Sequence, residues 1–483
     1  MTFDTRATNS SVPVKNKNAG KRASAVITNC TSNLIVPEVR VYKRRWLMLF
    51  IFIIYTIACI GQWLQYSIIN NIISRYYGVS NLAVDWTSMV FLVVFIPMVF
   101  PASYLIDKLG LRWTAIVGGV IVTLGSWIKV FSASPDRFYV TFIGQTVVSS
   151  AQVFVMSVPG RLAANWFGAS EVSTATAIGL FGCQLAIATN FLLPPNIVKN
   201  SDNLDDIGSD LSVLYLFNGI FSTAATIAVI IFFHSDPPLP PSETRRLQKL
   251  HDSESSEGFL VLTKNLLTNR NYIALWHAFG VIIGIFNALG TLLNQMYLLH
   301  FENSEVELGH IGVAMTVVGM IGAIVAGVVL DKTHKFKLAI SLVGALSWMG
   351  HVLLGIGLVV EYKWMIWLGA IIFGFFNGGY STIGFEVCAE FTYPAPEGVT
   401  TAYLTVAHQL YGVIMILIFG KVLEFHGDVW THVGLGLIGM TGVLANIFTK
   451  DIQRRQNAKD NAHCAEIAMK DSTPKNSGRT TPS

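Results

Sequence analysis

Apolar residues in this chain come in long runs, without the short alternation of half-buried strands. A helix needs roughly 20 predominantly apolar residues to cross a bilayer. Twelve such stretches are present: near 46–72, 86–106, 113–133, 138–162, 171–194 and 212–234, then 272–299, 309–330, 338–359, 364–387, 398–421 and 429–449. The longest internal polar interruption, about 235–270, opens with Pro237-Pro238-Leu239-Pro240-Pro241 and separates six stretches from six. The pattern predicts an all-α polytopic membrane protein with twelve transmembrane helices in two pseudo-symmetric six-helix lobes. The expected divisions are an N-terminal tail (1–42), a first lobe (43–234), a linker (235–271), a second lobe (272–450) and a C-terminal tail (451–483). Both tails are rich in Ser, Thr, Asn and Lys and have little to bury, so disorder is expected there. Within the linker, Arg245-Arg246-Leu247-Gln248-Lys249-Leu250 reads either as a short surface helix or as solvated chain.

Composition agrees with a membrane assignment. Hydrophobic residues make up 52% of the chain and charged residues 13%, where soluble proteins carry about 25%; the mean hydropathy is +0.53. The first 42 residues lack the apolar core of a cleavable signal peptide. The basic residues set the expected orientation. With the amino terminus in the cytosol, the far side holds six of the 33 Lys and Arg: Arg75, Lys129, Arg137, Lys199, Lys363 and Lys421. The Arg40/Lys43/Arg44/Arg45 cluster then faces the cytosol, and acids such as Asp202, Asp205, Asp206 and Asp210 face outward. Both termini are therefore expected in the cytosol, which would leave the acceptor patterns Asn9-Ser10-Ser11 and Asn29-Cys30-Thr31 unglycosylated. The net charge of +4 reflects this bias and gives no reason to expect nucleic-acid binding. The five cysteines show neither a disulfide framework nor metal-ligand spacing, and no cofactor is expected.

A short polar motif occurs once in each half. Asp107-Lys108-Leu109-Gly110-Leu111-Arg112 and Asp331-Lys332-Thr333-His334-Lys335 lie 224 positions apart, each between two apolar helices. An acid at a helix end and cations in the turn are suited to capping, pairing and fixing that turn on the cytosolic side. The repetition implies a duplicated transporter, in which substrate sits between the halves near the bilayer midplane. Asp107, Lys108, Arg112, Asp331 and Lys332 are thus candidate gating residues. Arg161 at the end of the fourth stretch joins them, as do Glu386 and Glu390 at the end of the tenth, where basic loop residues are the expected partners of the two acids.

Several runs together carry a family resemblance. They are Gln62-Trp63-Leu64-Gln65, Tyr77-Gly78-Val79, Asp85-Trp86-Thr87-Ser88-Met89, Pro159-Gly160-Arg161 and Trp166-Phe167-Gly168. Further matches are Phe191-Leu192-Leu193-Pro194-Pro195, Thr291-Leu292-Leu293-Asn294-Gln295-Met296 and Thr392-Tyr393-Pro394. Over roughly 43–450 the chain resembles the feline leukaemia virus subgroup C receptor-related transporters, a branch of the major facilitator superfamily. The resemblance implies the major facilitator fold and carriage of choline and ethanolamine, with haem export as an alternative. It also implies that Trp63 aligns with the aromatic residue contacting the substrate ammonium.

The residue chemistry bears on that implication. A quaternary ammonium donates no ordinary hydrogen bonds and is recognised by aromatic faces. Trp63 lies well inside the first stretch, where it reads either as packing or as cavity lining, with Gln62 about 100° away around the helix. Gln184 in the fifth stretch and Gln409 in the eleventh are mid-membrane amides. They would either bond a neighbouring helix or offer donor and acceptor to a substrate hydroxyl or amine. The family's second cage residue is a Tyr on the seventh helix, and here Asn287 stands at that position. This departure puts choline selectivity in question, with Tyr411 or Tyr380 as compensating rings. His408 reads more readily as a packing residue than as a proton carrier, which favours a facilitative uniporter. Alternatives are a haem exporter and a non-transporting receptor or sensor; no enzyme motif is found. A monomer in the plasma membrane is expected, with an intracellular membrane as the alternative location.

Overall fold

Without water in the bilayer core, each spanning segment must satisfy its own backbone hydrogen bonds, and every regular element among the described residues is helical. The computed structural model describes residues 40–168, 171–239, 241, 259–395, 397–450 and 453–456. Both glycosylation patterns, Arg245–Leu250 and the Asp107 side chain lie outside the described residues.

The first lobe contains α1 (Arg44–Ile60), a 3-10 turn (Ser67–Ile69), α2 (Asn70–Tyr77), α3 (Asn81–Val130), α4 (Phe138–Ser157), α5 (Pro159–Trp166), α6 (Val172–Ile197) and α7 (Leu204–Phe232). A short α8 (Phe259–Thr268) falls within the linker and precedes the second lobe. That lobe contains α9 (Arg270–Leu298), α10 (Glu305–Thr333), α11 (Phe336–Val359), α12 (Lys363–Thr392), α13 (Glu397–His426) and α14 (Asp428–Phe448).

Among the described residues, eleven segments are long and apolar enough to span a bilayer. The expected continuous helix over 46–72 is absent from that set because it is broken into α1, an unwound stretch, the 3-10 turn and α2, each too short alone. The α3 run covers two spans. It is divided at Gly110, whose φ of 75° reverses the chain direction and favours glycine. The repeated motif is mirrored in the backbone, because His334 adopts φ 51° at the end of α10. Gly110 and His334 each follow their acid, Asp107 or Asp331, by three positions.

Hairpins within the lobes close tightly where side chains are missing. A Cβ on Gly125 of α3 would lie 2.7 Å from the Gly144 carbonyl of α4. A Cβ on Gly369 of α12 would lie 2.4 Å from the Leu354 amide of α11. Such small residues let helices approach closely in the absence of a hydrophobic driving force between them. The two lobes meet along their sides. Phe191 of α6 fits over Gly309 and Gly312 of α10, and the Phe100 ring of α3 lies 5.1 Å from that of Tyr403 on α13. Arg44 bonds the carbonyl of Phe232, and the Lys450 amide bonds Asn271. These bonds join the ends of the first and sixth spans, and those of the seventh and twelfth.

Candidate functional site

Unwinding a helix inside a membrane exposes backbone groups that must find new partners. Here side-chain amides supply them. Asn190 of α6 accepts from the Leu64 amide at 3.2 Å and donates to the Ile60 carbonyl at 2.8 Å. Gln145 of α4 donates to the Gln62 carbonyl at 2.7 Å. Across the lobe boundary, Asn294 of α9 donates to the Ile68 carbonyl at 2.8 Å and accepts from the Asn71 amide at 3.3 Å. The break is therefore a bonded structure between the lobes, with Leu64 against Gly290 of α9 and Gly61 against Thr189 of α6.

Trp63 sits in this unwound stretch, not in a helix. It is buried, and its indole N–H has no partner. Gln409 on α13 is buried with its amide oxygen unpartnered, and Gln184 on α6 is half-buried with no hydrogen bond. Buried polar groups are normally satisfied; Trp63 and Gln409, on opposite lobes, are among those that are not. Asn287 of α9 is buried and donates to the His408 carbonyl at 3.2 Å, with its nitrogen 3.3 Å from His408 Nδ1. It thus joins α9 to the residue preceding Gln409. The other two expected substrate-binding side chains point elsewhere. The Gln62 amide runs into the first lobe, to the Ala58 carbonyl and Ser126. Tyr411 places its hydroxyl 2.6 Å from His277 Nδ1, and His277 in turn reaches Thr441 of α14.

Three elements of this arrangement were not anticipated. Lys129 is fully buried, although its place near a helix end suggested an outward-facing charge. Its ammonium donates to Gln62 Oε1 and to Gln145 Oε1 (2.9 Å) and lies 5.8 Å from the Tyr66 ring centroid. Asn190 and Asn294 act on backbone, a role that the run Thr291-Leu292-Leu293-Asn294-Gln295-Met296 did not reveal. Gln152 of α4 is buried with an unpartnered amide oxygen. A signal existed in each case: an amide or ammonium in an apolar helix is costly and usually functional.

On the face opposite the termini, a polar clasp joins the lobes. Asp85 of α3 accepts from Gln295 of α9 at 2.8 Å and from Asn70 at 3.0 Å. Ser88 and Thr291 hydroxyls are 3.0 Å apart, and Glu305 of α10 accepts from Asn71 at 2.8 Å and Asn200 at 2.9 Å. Beyond the clasp, His300 bonds Asp428 at 2.8 Å and Glu361 at 3.3 Å. Burial works against its positive charge, but the two carboxylates outweigh burial and raise its pKa above the usual 6.5.

The candidate gates are unequal. Glu386 is exposed, while Glu390 is buried; with Glu397 they surround Arg455, whose Nε lies 3.2 Å from Glu390 and Nη1 3.0 Å from Glu397. Their expected loop partner is thus a residue beyond α14, in a segment expected to be disordered tail. Arg112 bonds the Ile230 carbonyl at 3.2 Å, and Lys108 lies over the Tyr104 ring. Arg161 is exposed on α5. Asp331 and Lys332 are exposed and make no ion pair among the described residues.

Two six-helix lobes around a broken first helix define a polytopic carrier. Residues 51–416 match the Major Facilitator Superfamily. The chain is 38% identical to choline/ethanolamine transporter flvcr2b of Danio rerio, over 89% of this chain and 88% of the relative. It is 36% identical to choline/ethanolamine transporter FLVCR2 of Homo sapiens (87% and 80%) and 35% identical to choline/ethanolamine transporter FLVCR1 of Felis catus (87% and 75%). In fold it resembles the Escherichia coli fucose:proton symporter FucP (TM-score 0.58, 10% identity, covering 84% of this chain and 100% of that one). It also resembles a D-xylose-proton symporter (TM-score 0.60, 13% identity, 84% and 96%). The chain belongs to the major facilitator superfamily, in its feline leukaemia virus subgroup C receptor-related branch.

Proposed function

We propose that this chain carries choline, ethanolamine or both across a membrane by alternating access, as a facilitative uniporter. The observation that carries the reading is the break in helix 1. It holds a buried Trp with its N–H unpartnered, beside Leu64, which packs on Gly290 of the second lobe, and Gln409 on that lobe has an unpartnered oxygen. An aromatic face suits an ammonium, and an amide oxygen suits a hydroxyl or a primary amine. Trp63, Gln184, Gln409 and Asn287 are the proposed substrate residues, with Gln62 and Tyr411 bracing the walls behind them. The relatives' names point to the same substrates.

In this reading the termini are cytosolic, the protein is a monomer in the plasma membrane, and the Asp85–Gln295 clasp closes the outer side. The Glu386/Glu390/Arg455 cluster belongs to the cytosolic gate, together with Arg161 and the two repeated turns. A cation entering such a cell gains about 2.3 kcal/mol per 100 mV from the membrane potential, so import needs no coupled ion.

Radiolabelled choline, ethanolamine and haem are to be offered to the same cells, with surface protein quantified. Saturable uptake of either amine is expected, following membrane potential and indifferent to a pH gradient. Movement of haem alone would favour an exporter, and no movement of any of the three would favour a receptor.

A further inference from the structure

A buried ammonium is costly unless its surroundings replace water. Lys129 has no exposed surface, and no carboxylate among the described residues pairs with it. What faces it is two amide oxygens and an aromatic ring: Gln62 Oε1, Gln145 Oε1 and Tyr66. Ammonium groups only donate, so both amides must turn their oxygens toward Lys129 and their NH2 groups away. The consequences differ. The freed NH2 of Gln145 meets the Gln62 carbonyl at 2.7 Å, within the unwound stretch. The freed NH2 of Gln62 meets the Ala58 carbonyl at 2.7 Å and Ser126 Oγ at 2.9 Å, binding the end of α1 to α3. Ser126 Oγ is also 3.1 Å from Ser222 Oγ of α7. A single lysine on α3 therefore sets two amides that hold the chain just ahead of Trp63, at the Ala58 and Gln62 carbonyls. Without the charge, either amide could flip, and a flipped Gln145 would set an oxygen against the Gln62 carbonyl.

We propose that Lys129 is a positioning residue for the substrate site: it orients Gln62 and Gln145 so that the unwound segment holds Trp63 toward the lobe boundary. This rests on the reading of Trp63 as an ammonium-contacting residue. Lys129 does not touch substrate in this scheme; it acts through the amides, from the side of the break facing into the first lobe.

The test compares full-length wild type, Lys129→Met, Gln145→Leu and the double variant. Each is purified in detergent and assayed for equilibrium binding of radiolabelled choline and ethanolamine, and for hydrogen exchange across residues 60–69. Met keeps the length of Lys without the charge. Gln145→Leu removes the oriented amide without touching the charge and serves as the second variant should Lys129→Met fail to fold. Because hydrogen bonds to charged groups are among the strong ones, each single variant is expected to weaken binding about tenfold or more. The double variant should be little worse than either single, since both act on one support. Exchange should rise within 60–69 and stay unchanged in α9–α14. Unchanged affinity and exchange in a folded Lys129→Met protein would overturn the proposal, as would uniformly raised exchange with normal binding by the folded fraction. If wild type binds neither amine, the substrate reading fails, and the exchange measurement still decides whether Lys129 holds the segment.

Discussion

Helix 1 and its counterpart in the second lobe, α9, occupy equivalent places and are built in opposite ways. Helix 1 loses its regular α-helical ladder between Gly61 and Ile69 and keeps only separate turn bonds there, such as that from the Trp63 amide to the Ile60 carbonyl, whereas α9 runs unbroken for 29 residues from Arg270 to Leu298. The continuous helix supplies what the broken one lacks. Asn287, Thr291 and Asn294 follow at i, i+4 and i+7, which places them on one face. Thr291 meets Ser88 and Asn294 meets the Ile68 carbonyl, both across the lobe boundary. Duplication therefore did not preserve two identical half-sites. One lobe contributes shaped backbone bearing an aromatic ring, and the other a rigid stripe of polar side chains that receives it.

The largest test of this asymmetry is Trp63→Ala. Loss of a desolvated cation–π face costs about 2 kcal/mol, so uptake at low substrate concentration should fall at least tenfold at equal surface expression. Comparable uptake across substrate concentrations would remove Trp63 from the site. Next comes Asn190→Ala, which leaves the Leu64 amide without its partner, while the Ile60 carbonyl keeps only the Trp63 amide. At about 1–3 kcal/mol for each buried unsatisfied group, the thermal midpoint should drop by several degrees. An unchanged midpoint would show that the break does not depend on Asn190.

A several-fold effect is expected from Asn287→Tyr, which adds a ring to α9 and makes the two walls more alike. Competition uptake should shift toward choline over ethanolamine, since a contact of about 1 kcal/mol corresponds to several-fold discrimination. The same change breaks the bond to the His408 carbonyl; if that loss dominates, both substrates fall together and the ratio stays fixed. The smallest effect belongs to His300, just beyond the end of α9. Its raised pKa means the folded state binds the proton more tightly than the unfolded chain does. Its stabilisation is therefore complete below about pH 6.5 and fades as pH rises through the higher folded value. The stability difference between wild type and His300→Gln, followed by thermal unfolding, should shrink from pH 6 to pH 8, and modestly, because solvent screens the pair.

Much of this was readable from the chain. Apolar runs located the spans, and the paired Asp107 and Asp331 turns pointed to the duplication; the positive φ shared by Gly110 and His334 came from the structure. The break was not read, although Gly61 and Gln62 weaken the helix there, because a single glycine is tolerated within an otherwise apolar helical run. What allows it to unwind is Asn190 and Gln145, remote in sequence but adjacent in space. Lys129 was misplaced for a related reason. A lysine near a helix end normally reaches for water, and the amide oxygens that keep this one inside come from two other segments. Glu386 and Glu390 were correctly placed as ion-pairing acids, but Arg455 lay in chain that composition alone marks as featureless.

The two asparagines that splint the break belong to different lobes. Asn190 travels with the first lobe, and Asn294 with the second. If the lobes rotate apart on the face opposite the termini, the splint at Ile60 and Leu64 moves with the helix it supports, while the splint at Ile68 and Asn71 is pulled away. The rotation thus rewires one joint of helix 1 and spares the other. The short α2 stays with the first lobe through Tyr76 and Tyr77, which bond the Ala133 and Ser132 carbonyls, and Trp63 stays mounted on that same side.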